Sequence, residues 1–231
     1  VELALDVASP DLTGLAERIA PVSLARERTL PVPPAMLDLF PEGGLVRGRW
    51  LSCAGPSATS LALAVVAPAI AAGGWLALID LPTIGLDAAS EYGVPLERIV
   101  RVDTGVVTCG VTGVVAGAAA TGDERLRRWP DAVVAAADGF DVLMVRVPPR
   151  LSPAVLRKVS TRVQRRGAVV VVLGDTGPMT CDVALDTDSA TWTGVVAGAG
   201  HLAERRVDVR SSGRRMPGRC RRELLLPRGS S

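Results

Sequence analysis

One histidine, one lysine and seven aromatic residues in 231 positions set the first limits on this chain. His201 is the only imidazole, and Cys53, Cys109, Cys181 and Cys220 lie far apart without a C-x-x-C pair. Neither a zinc site nor a disulfide framework is suggested, so the cysteines read as buried thiols and no metal or cofactor is expected. With no second histidine to pair with, His201 reads as structural. The few aromatics, of which Trp50 and Trp75 fall in strand patterns, support no stacking platform for single-stranded nucleic acid.

Missing too is any run of roughly 18 to 20 uninterrupted apolar residues. The best, Ser60 to Ile79, reads as a helix, a Gly73-Gly74 stop and a strand. No membrane partner is expected. Nothing in the first thirty residues joins a basic start to a long apolar stretch and a cleavage site, which points to a cytoplasmic protein.

What is present is apolar mass: at 48% hydrophobic content the chain can bury a substantial core as one domain with a small appendage. The basic residues are Lys158 and 25 arginines, a bias that fits a GC-rich genome. The net charge of +2 conceals an uneven distribution. From Ala203 onward nine arginines face Glu204, Asp208 and Glu223, a balance of +6, and the remainder of the chain carries −4. The tail is a separate electrostatic region.

Three segments follow: a helical and proline-rich entry over 1–42, an α/β core over 43–190 and a basic C-terminal extension over 191–231. Residues 11 to 28 suit a helix interrupted at Pro21, and "LPVPPAMLDLFPEGGLVRG" leads into the core. "RWLSCAG", "GGWLALID", "LERIVRVD", "FDVLMVRV" and "GAVVVVLGD" carry strand signals, and the last two are β-branched runs of the kind buried in parallel sheets. Helices are expected over Thr59 to Ala72, in "LDAASEYGV" and in "ERLRRWPDAVVAAADG". The clearest helix is "LSPAVLRKVSTRVQRRG". Ser152 caps it, Pro153 suits its first turn, Leu151 and Leu156 form a staple, and Gly167 ends it. Leu156, Val159 and Val163 make its inner stripe. Arg157, Lys158, Arg162, Arg165 and Arg166 lie on the other face, as a solvated surface or a secondary binding face. Alternating strands and helices argue for a mostly parallel sheet covered on both sides.

"GPSATSLALAVVAPAIAAGGWLALID" has the outline of a nucleotide-binding unit: glycine turn, helix, strand, aspartate. A working phosphate loop follows G-x-x-x-x-G-K-S/T, with backbone N–H groups cradling the phosphates, lysine neutralising them and a hydroxyl on magnesium. Here Gly55 and Pro56 run into Ser57, Ala58, Thr59 and Ser60. Hydroxyls are present, but the lysine and second glycine are absent and the loop is short.

"LVRGRWLSCAGP", "SLALAVVAPAIAAGGWLALID" and "EYGVPLERIVRV" resemble the core of the RecA recombinases. The closer resemblance is to ImuA, the RecA-like accessory proteins of bacterial mutagenic repair cassettes, and within it to the actinobacterial branch written ImuA-prime. "WTGVVAGAGHLAERRVDVRSSGRRMPGRCRRELLLPR" is similar to the ImuA C-terminal region, so the likeness spans roughly residues 30 to 228. It implies a RecA-like fold with Thr59-Ser60 at the family's Thr-Thr pair, Ala58 in place of the lysine and Ser57 in place of the glycine. Pro82 stands in place of the general base, Arg146 in place of the magnesium aspartate and Asp175 in place of the γ-phosphate-sensing glutamine. Together these changes remove the groups an ATPase needs. The loops after the strands ending near Arg146 and Asp175 are shorter than a recombinase requires.

The resemblance implies a non-enzymatic scaffold in damage-induced, error-prone translesion synthesis. Its partner would be an inactive Y-family polymerase relative of the ImuB type and, through it, RecA or an error-prone C-family polymerase. The alternatives are a DNA-binding module of the same system and a cryptic ATPase. Arg205, Arg206, Arg210, Arg214, Arg215, Arg219, Arg221 and Arg222 are the expected partner-binding residues. "HLAERRVDVR" and "RCRRELLLP" are expected to form a hairpin about "SSGRRMPG". Trp192-Thr193-Gly194 reads as a packed corner, or as a contact if Trp192 is exposed.

Overall fold

A computed structural model describes residues 28–105, 121–177, 179–196, 199–216 and 218–226, leaving aside the side chains of 193–196 and 199–204. The expected helix over 11–28, apart from Arg28, and the side chain of His201 lie outside that set.

The core is an eight-stranded sheet in the order β10-β9-β8-β3-β7-β6-β4-β5. Six of the strands are parallel where they meet: β3 (Trp50–Ala54), β4 (Leu76–Ile79), β5 (Ile99–Val102), β6 (Val142–Val145), β7 (Val169–Leu173) and the start of β8 (Val183–Val196). β9 (Ala199–Ser212) and β10 (Cys220–Leu226) extend the sheet by antiparallel pairing. A small ribbon, β1 (Thr29–Leu30) with β2 (Leu45–Val46), stands apart.

The side-chain period of two sorts the parallel strands cleanly between two cores. Leu51, Cys53, Leu76, Leu78, Met144 and Val171 face the layer of α1 (Ala58–Ala71). Trp50, Ala77, Ile79, Leu143, Val145 and Val170 face α3 (Gly122–Ala137) and α4 (Pro153–Arg166). Burial on both faces is why β4, β6 and β7 are unbroken apolar runs. α1 is apolar around its whole circumference because it too is enclosed: Leu30, Met36 and Phe40 of the entry segment and Val207, Val209 and Leu224 of the antiparallel strands join its core. The short α2 (Leu86–Glu91) contributes Ala89 to the same layer.

Helix ends follow the chemistry of their termini. The Ser152 hydroxyl accepts the Val155 N–H at 3.3 Å, and Gly167 closes α4 at φ 76°. At α3, Thr121 and Glu124 form a reciprocal capping box.

In place of a packed corner at Trp192-Thr193-Gly194, β8 runs straight through those residues. The residues after Asp182 form one 14-residue strand, and Trp192 stands within it, 44% exposed. Register shifts between Thr187 and Ser189, and between Thr193 and Val195, break the alternation that would otherwise mark a strand. Residue 190 lies inside β8, so core and extension share a continuous strand. The expected hairpin of β9 and β10 is present, turning at Gly213, with β10 at the sheet edge.

Candidate functional site

In an open parallel sheet the ligand crevice lies beyond the carboxyl ends of the strands, where connections diverge to opposite sides. β3 holds that position: its chain leaves through α1 toward β4, and β8 lies on its other side. The Gly55 turn therefore sits where a phosphate loop would sit.

The chain itself fills the crevice. Thr187 of β8 is 4% exposed, and its hydroxyl donates to the Ala54 carbonyl at 3.0 Å while accepting the Ser57 N–H at 3.1 Å. Gly55 has φ 92°, and a Cβ there would lie 2.1 Å from the Thr187 carbonyl oxygen. Ser57 is itself buried, whereas Gly55, Pro56 and Thr59 are exposed and Ala58 and Ser60 half-buried. A phosphate needs the turn's N–H groups pointing into open space. The Ser57 N–H instead meets a hydroxyl of the same molecule, and no lysine adjoins it.

The positions around the turn have other employment. Asp80 adopts φ 54°, uncommon for a residue with a Cβ, and its two carboxylate oxygens accept the Thr104 N–H at 2.8 Å and the Thr104 hydroxyl at 2.6 Å. This clasp joins the ends of β4 and β5. Pro82 and Arg146 are exposed. Asp175 is exposed as well, and its carboxylate accepts the Gly177 N–H at 2.9 Å within its own turn. Arg146 thus places an exposed cation directly after β6, which disfavours a metal ion there. The residues present do not fit a magnesium–nucleotide. Among the described residues no His, Cys, Asp and Glu cluster suited to a metal is found.

The basic residues expected to bind a partner separate into three groups. On the outer face of the antiparallel strands, arginines alternate with acids: Arg206 meets Glu223 at 3.2 Å, Arg210 meets Asp188 at 2.5 Å and Arg221 meets Asp208 at 3.1 Å. The Arg221 hydrogen bond, helped by Ser189, holds the Asp208 carboxyl below its ordinary value. Arg222 on the opposite face reaches Asp38 in the entry segment. On α4, Arg162 and Arg166 converge on Asp138 at the end of α3, at 3.3 and 2.6 Å, so two of the five basic residues of that face tie two helices together. Lys158, Arg165 and Arg219 are exposed and, among the described residues, without an ion-pair partner.

The third group surrounds a cleft of about 820 Å³ at the amino ends of β3 and β8, the opposite end of the sheet from the Gly55 turn. Arg157 of α4 meets Arg214 and Arg215 of the β9–β10 turn here, joined by Arg28, Arg47 and Arg49. The structure thus brings together members of two arginine groups that are about sixty residues apart in sequence. Asp182 is the carboxylate in the cleft wall. One of its oxygens is shared by Arg214 at 3.2 Å and Arg215 at 3.3 Å, and the other accepts the Trp50 N–H at 3.2 Å.

A further surface lies at the other end of the antiparallel strands, where the sequence names Trp192 as a contact if exposed and Arg205 as partner-binding but does not pair them. Trp192 lies under the Arg205 guanidinium, 5.0 Å from it, and Arg205 also donates to the Tyr92 hydroxyl at 3.2 Å. The cross-strand pair Trp192 and Arg205 was hidden because it depends on the β8–β9 register.

The fold defines a class: an α/β protein with a mostly parallel, eight-stranded mixed sheet flanked by helices. The chain belongs to the family described as the MT3502 N-terminal domain, whose model matches residues 38–178, more than half of its length. The matched part ends before β8, so the antiparallel strands lie beyond it. No curated protein matches the chain.

Proposed function

We propose that this protein is a RecA-like scaffold without nucleotide chemistry, an accessory factor of the ImuA type in damage-induced, error-prone translesion DNA synthesis. It works in the cytoplasm as a binding protein, not an enzyme. Its partner is a Y-family polymerase relative of the ImuB type, through which it meets RecA or an error-prone C-family polymerase. The observation that carries this reading is the Thr187 hydroxyl on the Ser57 N–H, which occupies the feature a nucleotide would require. The loss of lysine at Ala58, base at Pro82 and aspartate at Arg146 acts in the same direction.

A scaffold needs a surface in place of a reaction. The antiparallel strands supply one in Trp192 and Arg205, an aromatic and an arginine of the kind that anchor protein interfaces. Two measurements test the proposal. Calorimetry with Mg-ATP is expected to give no binding, and micromolar affinity would overturn it. Capture of the ImuB-type partner by the full-length chain is expected to fall at least about tenfold with Trp192→Ala. Undiminished capture by Trp192→Ala and by Arg205→Ala would remove this surface from the reading. Contacts to DNA phosphates would show instead as a gel shift that weakens steeply with salt.

A further inference from the structure

We infer that the arginine cleft at the amino ends of β3 and β8 is a docking site for a carboxylate-rich peptide segment of a partner protein. The inference deepens the scaffold reading and rests on it for the partner's role, while the chemistry of the cleft stands on its own residues.

Supply of charge is the first argument. Six arginines line the cleft against the single carboxylate of Asp182. Arg47 pairs with Asp141 at 2.9 Å and Arg49 with Glu42. Arg214 and Arg215 divide one carboxylate oxygen between them, which leaves most of their ten N–H donors unfilled. Arg28 and Arg157 have no ion-pair partner among the described residues. Among the described residues the cleft holds more positive charge than acids to balance it, in a concave space where the attraction of an anion is focused.

The kind of anion follows from the other lining groups. Every guanidinium of the cleft that has a partner holds a carboxylate, the planar match for its fork. α4 offers Ser160, Thr161 and Gln164 along the same wall, hydroxyl and amide groups suited to a peptide backbone. Single-stranded nucleic acid would need exposed rings for its bases. The aromatic residue at this cleft, Trp50, is only 5% exposed, and its indole N–H is buried without a hydrogen-bond partner. The volume suits a short segment and is too small to admit a duplex.

The test is fluorescence anisotropy with the full chain and a labelled Glu/Ser peptide, its Gln/Ser counterpart, and single-stranded and duplex oligonucleotides. The Glu/Ser peptide is expected to bind in low salt and the Gln/Ser peptide not to bind. Arg157→Glu and Arg28→Glu are each expected to weaken binding about tenfold or more, since each reverses a charge that no acid among the described residues balances. Arg165→Glu, on the same helix outside the cleft, is the control and is expected to have little effect. Absence of Glu/Ser binding, tighter binding of an oligonucleotide that displaces the peptide, or equal loss with Arg165→Glu would each overturn the inference. Capture of the ImuB-type partner is measured separately. Peptide binding that Arg157→Glu abolishes, beside unchanged partner capture, would sustain the site and count against that partner as its occupant.

Discussion

The Thr187 hydroxyl lies 3.1 Å from the Ser57 amide nitrogen and accepts its N–H. A side chain from β8 thus occupies this donor of the Gly55 turn, and it simultaneously satisfies the Ala54 carbonyl at 3.0 Å. Thr187→Val keeps the shape and removes both hydrogen bonds from a buried site, at a cost of roughly 1–3 kcal/mol. Thr187→Ser, which keeps the hydroxyl, should cost less. Chemical denaturation of the two variants separates the hydroxyl from the methyl group. Equal stability of Thr187→Val and the natural chain would show that the contact contributes nothing.

Gly55 is bound to the same contact by its backbone. At φ 92° a side chain is disfavoured, and an added Cβ would lie 2.1 Å from the Thr187 carbonyl oxygen, which backbone cannot evade cheaply. Gly55→Ala is expected to lose at least about 2 kcal/mol or to fail to accumulate as folded protein. Gly73→Ala is the useful comparison: its φ is also positive, but nothing lies within 4 Å of the added atom. If both substitutions cost the same, strain alone accounts for Gly55 and the closure by Thr187 does not matter.

Much of the fold was legible in the chain. β6 and β7 were visible as β-branched runs because burial on both faces leaves no polar alternation to confuse them. α4 was visible from Ser152, Pro153 and Gly167, since capping groups act on their own turn. β8 was not, because Asp188, Ser189 and Thr191 interrupt its apolar residues and register shifts break its period. The closure of the crevice was hidden for a simpler reason: Ser57 and Thr187 are 130 residues apart, and no local pattern reports which hydroxyl will reach a distant N–H. The convergence of Arg157 with Arg214 and Arg215 was hidden in the same way.

Asp80 combines a left-handed backbone with two hydrogen bonds from Thr104. The clasp must outweigh the conformational cost, which is of order 1 kcal/mol for a residue with a short polar side chain. Asp80→Gly should therefore be better tolerated than Asp80→Ala, because glycine relieves the backbone while both lose the clasp. Differential scanning calorimetry checks the order. A higher melting temperature for Asp80→Ala than for Asp80→Gly would contradict it.

The buried thiols give the protein an alkaline limit. Burial pushes the Cys181 thiol from its ordinary 9.0 up to about 11, and burial raises Cys53 further. The folded state thus holds these protons more tightly than the unfolded chain. Their contribution is fully present below pH 9, where both states are protonated, and is lost as pH rises from about 9 toward 11 for Cys181. Unfolding free energy should decline across that window, and Cys181→Ala should flatten the decline. An unchanged slope in Cys181→Ala would assign the alkaline loss to other groups.

Asp182 links the basic turn to the core and permits the most discriminating substitution. Its carboxylate accepts the Trp50 N–H at the head of β3 and holds Arg214 and Arg215, while its carbonyl accepts the Arg215 N–H at 3.2 Å. Gly213, at φ 135°, brings the turn so close that a Cβ would lie 2.5 Å from the same carbonyl oxygen. The two arginine side chains are half-exposed or more, so their ion pairs are screened and contribute little. The larger loss on truncation is the buried Trp50 N–H, which Asp182→Ala leaves unsatisfied at a cost of about 1–3 kcal/mol. Asp182→Asn keeps an acceptor for Trp50 and removes only the charge, so it should retain most of the stability. It should also strengthen binding of the Glu/Ser peptide, because the one competing carboxylate of the cleft has gone and both guanidiniums become free for the ligand. Denaturation and anisotropy on the same two variants check both halves. Weaker peptide binding by a stably folded Asp182→Asn would mean that Asp182 positions the arginines for their ligand and does not compete with it.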